Sequence, residues 1–151
     1  MSLQLSWSGE EYGRSVFVEE VANQNEDFIS KVLALDDNDF TTLMSSDVGH
    51  KGAHFPPPLL DLIHQLDYPV YEAEKKGPGT VTESYAYKLL TRFWDRIKKL
   101  DEQSQKRIVG RTISASGNYY MTRVMPFLPE DLRKAIEAVY EEAKQPQRKL
   151  A

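Results

Sequence analysis

At 151 residues, with 40% hydrophobic and 28% charged side chains, the chain has the size of one folded domain and too much apolar mass for wholesale disorder. It has no cysteine, which excludes disulfides, thiolate metal sites and a cysteine nucleophile and suits a cytoplasmic protein. No stretch approaches the roughly 20 apolar residues of a bilayer span, and the first residues lack the basic start and apolar run of a signal peptide, so no membrane partner is expected.

The formal net charge of −4 conceals a strong asymmetry. Residues 1–74 carry three Lys/Arg against fourteen Asp/Glu, a net −11, whereas residues 75–151 carry sixteen against nine, a net +7. Two halves of opposite sign can face each other within one domain and neutralise, or present separate acidic and basic surfaces to partners. The first reading is favoured, because neutralisation within a domain needs no partner.

In chain order, residues 1–24 stand between two readings. Leu3, Leu5 and Trp7 alternate with polar residues as in a strand, and Arg14 to Val18 would return as its partner in a short N-terminal hairpin. An isolated hairpin is marginal, and Val18, Val21 and Ala22 keep helical spacing, so a loose start followed by a helix is favoured.

Asn25 then caps a helix whose first-turn acids suit the positive end of its dipole, with Phe28, Ile29, Val32 and Leu33 as its apolar stripe. Asp36 to Asp39 stops it and starts a short helix bearing Phe40, Leu43 and Met44. Ser45 to Pro57 reads as a loop, on account of its glycines and prolines. Pro57 and Pro58 suit the first turn of a helix carrying Leu59, Leu60, Leu62, Ile63 and Leu66, which Pro69 is expected to end or kink near Tyr68.

Lys75 to Gly79 reads as a loop. Thr82 is expected to cap the longest helix, about Glu83 to Leu100, with Ala86, Leu90, Phe93, Ile97 and Leu100 on one face and Leu89 and Trp94 beside it. A helix from Asp101 to about Ser114 buries Ile108 and Val109. After a break at Ser116 to Asn118, Tyr120, Met121, Val124 and Met125 suggest a short helix closed by Pro126. A last helix opens at Pro129 to Asp131 and keeps Leu132, Ala135, Ile136, Val139, Tyr140 and Ala143 in register.

These elements predict an all-α fold, an irregular bundle of about six helices joined by short connections. Residues 1–145 read as a single helical domain and residues 146–151 as a flexible C-terminal tail. No internal repeat or low-complexity segment interrupts this scheme.

Chemistry is sparse. Asp47, His50 and His54 are spaced so that a helix would place them on one face, and a fold-back would add His64 as a further ligand for a divalent transition metal. Gly49 and Gly52 oppose that helix, and a solvated glycine loop explains the same residues. His64, beside Ile63 and Leu66, also reads as a hydrogen-bonded, partly buried histidine.

Lys88, Arg92, Arg96 and Lys99 follow one helical face, and Lys106, Arg107 and Arg111 extend it, a stripe able to meet phosphates. The overall acidity argues against nucleic acid as the partner, and a solvated helix face paired with the acidic first half accounts for the same spacing. Neither register of Asp36 to Asp39 gives an EF-hand. Glycine-rich nucleotide loops, the Gly-x-Ser-x-Gly elbow and His-Glu-x-x-His are missing. Glu72 and Glu74 read as an exposed helix end, and Ser114 to Gly117 with Tyr119 and Tyr120 as a helix junction or a pocket wall.

The sequence therefore points to a small soluble non-enzymatic helical binding or interaction protein, with a protein partner or a homo-oligomer in view. A metal-binding bundle or metal-dependent enzyme built on the His50/His54 loop is the alternative, and a nucleic-acid module on the basic stripe the second alternative.

Overall fold

The structure, a computed structural model, describes residues 20–45, 57–77, 79–115 and 123–144. They form an irregular all-α bundle: α1 (Glu26–Leu33), α2 (Asp37–Met44), α3 (Pro58–His64), α4 (Asp67–Lys76), α5 (Gly79–Thr82), α6 (Tyr85–Ile97), α7 (Glu102–Ala115) and α8 (Glu130–Lys144), with a 3-10 turn at Met125–Phe127. The expected N-terminal hairpin and the Ser116–Asn118 break lie outside the described residues, but Glu20 to Ala22 are helical and Val21 is buried.

The caps of α1 and α2 are those that short polar side chains dictate. The Asn25 carboxamide oxygen accepts from Phe28 N at 3.2 Å, and the Asp36 carboxylate from Asp39 N at 2.8 Å. Each helix then turns its apolar residues inward: Phe28, Ile29 and Val32 from α1, Phe40, Leu43 and Met44 from α2.

The centre of the fold is α3. Leu59, Leu60, Leu62 and Ile63 are all buried, so most of this helix is enclosed, and Asp61 and His64 share its partly exposed face. It packs against α2, α6 and α7, while α8 lies on α7 and α5 joins α4 to α6. Phe40 and Phe93 stack in this core with ring centroids 6.3 Å apart.

Three sequence expectations change here. Pro69 does not simply end the helix before it; it sits buried in the first turn of a new helix, α4. There its missing N–H removes no helical bond, and Val70 N still reaches Leu66 O at 2.8 Å. The Lys75–Gly79 loop contracts, because α4 runs on to Lys76 and ends at Gly77, whose φ of +108° is open to glycine alone without strain.

Ser84, not Thr82, caps the basic helix, which spans Tyr85–Ile97 and is shorter than α7 and α8. Its hydroxyl accepts from Tyr87 N at 3.1 Å and donates to Val81 O at 2.6 Å. Thr82 instead closes α5, donating to Gly79 O at 3.2 Å. The cause is tertiary: Val81 is buried, so α5 must fold onto the core before the chain turns into α6.

Among the described residues, ion pairs join the acidic first part of the chain to the basic second part. Arg92 meets Glu26 at 2.9 Å and Arg96 meets Asp37 at 2.9 Å. Arg123 reaches Asp67 at 2.9 Å and Glu74 at 3.4 Å.

Candidate functional site

Of the residues expected to bind metal, Asp47, His50 and His54 lie outside the described residues. His64 closes α3 and is half-buried; burial pulls its pKa below the ordinary value, and the nearby Asp67 carboxylate opposes that shift. No group of three or more His, Asp or Glu side chains converges among the described residues.

The basic stripe of α6 is divided by its surroundings. Lys88 and Lys99 are exposed to solvent, and Arg111 is partly buried on α7. Arg92 is held on the Glu26 carboxylate, which also accepts from the Tyr85 hydroxyl at 2.8 Å. That hydroxyl first and Arg92 second keep the Glu26 pKa below the usual carboxylate value.

Arg96 is turned inward, with only 15% of its side chain exposed. Its guanidinium donates to Leu33 O at 3.1 Å and Leu35 O at 2.8 Å, and lies 4.7 Å from the centroid of Phe40. It satisfies carbonyls at the end of α1, where a helix lacks donors and a cation suits the dipole. In this arrangement Arg96 works as a joint between α1, α2 and α6.

Glu72 and Glu74 do not act as a carboxylate pair. Glu72 takes Lys76 at 2.8 Å, which lowers its pKa, while Glu74 faces Arg123.

The feature that stands out on the surface is α4. Pro69, Val70 and Ala73 face the core. Tyr68, Tyr71 and Lys75, spaced three and four apart, share the opposite side. Tyr68 is 69% exposed and Tyr71 46% exposed, and they are the large hydrophobic side chains left open among the described residues. Lys75 Nζ rests 4.5 Å from the Tyr71 ring centroid.

Beside this stripe runs a shallow groove of about 310 Å³, lined by Tyr68, Pro69, Glu72, Thr80, Glu83 and Ser84. It combines an aromatic face with two carboxylates, and Glu83 enters no ion pair among the described residues. Arg123, clamped on Asp67 and Glu74, pins α4 in place.

Neither Tyr68 nor Tyr71 stands out as a site residue in the sequence. Their spacing with Lys75 was available, but it carries meaning only once residues 67–76 are known to be one helix, and Pro69 concealed that. No protein-family model, curated protein or solved structure matches the chain. No helix of the described residues is long and apolar enough to cross a membrane.

Proposed function

We propose that this chain is a non-enzymatic, cytoplasmic helical interaction protein whose α4 face docks a basic segment of another protein. The observation that carries the reading is the exposed pair Tyr68 and Tyr71 on one helical stripe. Tyrosine is enriched at protein interfaces because it offers a large, stiff apolar ring with a polar end. The acidic, tyrosine-lined groove beside the pair favours a Lys or Arg side chain, through ion pairing to Glu83 and contact with the Tyr68 ring. The absence of cysteine suits a reducing compartment.

Selection of short displayed peptides on the protein tests this reading. The selected peptides should carry Arg or Lys beside an apolar residue. Their affinity should fall about tenfold or more in the Tyr68→Ala/Tyr71→Ala variant, since interface tyrosines commonly contribute more than about 1–2 kcal/mol. Both positions are exposed, so the variant should melt with the parent. Peptides without basic residues, or equal affinity for parent and variant, would reject the reading. Sedimentation over a range of concentrations checks whether a second copy occupies the face instead; self-association lost in the variant would also reject the basic segment as partner.

A further inference from the structure

A second feature shares no lining residue with the groove beside α4. Between α7 and α8, beside Trp94 of α6, lies a cavity of about 160 Å³. Trp94, Val109, Ala135 and Val139 supply its apolar lining. Ala135 on α8 and Val109 on α7 both border the gap. The Trp94 indole N–H donates to Asp131 Oδ1 at 2.8 Å. Asp131 is itself held by Lys98 at 2.7 Å.

The rim is charged. Glu102 and Glu142 flank the opening, and Lys106 lies between them, 3.4 Å from one and 3.3 Å from the other. All three are exposed, so they ring the mouth and leave the interior apolar. Two carboxylates against one ammonium leave the rim with one negative charge in excess.

We propose that this cavity binds a small aromatic amine, a single ring bearing an ammonium group on a short alkyl chain. The size fits one ring: apolar cavities of about 150 Å³ in proteins take up benzene. The ring lies against Trp94 and Val109, and the ammonium joins Lys106 between the two rim carboxylates. A carboxylate in the same position meets two like charges. The exposed rim sets orientation more than affinity, because solvent-screened ion pairs contribute little.

The test uses the full chain with Trp7→Phe, so that Trp94 is the only tryptophan emitting. Phenethylamine should change Trp94 emission saturably. The acid 3-phenylpropionate should bind more weakly, by roughly two- to fivefold, as expected for exposed charge pairs. Glu102→Gln/Glu142→Gln leaves Lys106 as the charged group of the rim, so it should reverse that difference in favour of the acid while leaving the ring bound.

Ala135→Leu should fill the cavity and remove binding of both probes. Ala138→Leu at the exposed mouth should weaken both without disturbing the core, which covers the case in which Ala135→Leu fails to fold. No saturable response to phenethylamine would overturn the proposal. So would unchanged binding in Ala138→Leu, or equal binding of the amine and the acid.

Discussion

Replacing Arg96 by alanine strips two backbone carbonyls, Leu33 O and Leu35 O, of their charged donor. Hydrogen bonds to a charged group contribute about 1.5 kcal/mol each at the lower end of their range, so the two together contribute about 3 kcal/mol. The guanidinium over Phe40 adds about 0.5 kcal/mol at a partly exposed site. The Asp37 arm adds little, because its carboxylate is 71% exposed and such pairs contribute about 0.5 kcal/mol or less. The expected loss is therefore about 3–4 kcal/mol, which for a chain of this size lowers Tm by roughly 10 °C.

Urea denaturation followed by far-UV circular dichroism measures the loss directly, as a lower midpoint with an unchanged slope. Arg96→Lys should recover about half, since an ammonium can reach one carbonyl but lacks the planar fork that spans both. Asp37→Ala should cost less than about 1 kcal/mol. A loss below about 1 kcal/mol for Arg96→Ala, or an equal loss for Asp37→Ala, would refute the capping argument. Either result would return Arg96 to the exposed basic stripe.

Two further outcomes check other parts of the structure. Ser84→Ala should destabilise by about 1 kcal/mol through loss of the α6 cap, whereas Thr82→Ala should change stability by a few tenths at most; reversed magnitudes in chemical denaturation would restore Thr82 as the cap. His64 has a folded pKa below the ordinary 6.5, so the unfolded chain takes up its proton first on acidification. Its contribution to stability is complete above about pH 6.5 and is lost as pH falls toward the folded pKa. The parent should therefore lose more stability than His64→Gln between pH 7 and pH 5, and parallel profiles would contradict the assignment.

The acidic and basic parts of the chain illustrate how little a charge tally says about a surface. The spacing of Lys88, Arg92, Arg96 and Lys99 is the same whether the stripe meets solvent, phosphate or another helix. Only the docking of α1 and α2 against α6 decides that Arg96 is spent on carbonyls and Arg92 on Glu26.

What was legible beforehand was whatever local chemistry controls. Asn25 and Asp36 cap their helices because their side-chain oxygens meet free N–H groups one turn ahead. The apolar stripes of α6 and α8 follow from 3.6-residue periodicity, and the all-α class follows from such stripes along the chain. What the sequence alone left undecided was wherever distant packing chose between acceptable local options. Thr82 and Ser84 are both fit to cap, and burial of Val81 selected Ser84. Pro69 suits either the end of one helix or the first turn of the next, and the inward facing of Val70 and Ala73 selected the second. That choice made α4 a helix and left Tyr68 and Tyr71 facing solvent. Backbone preferences act over a few residues, but exposure is a property of the assembled surface, so the candidate site came into view only with the tertiary structure.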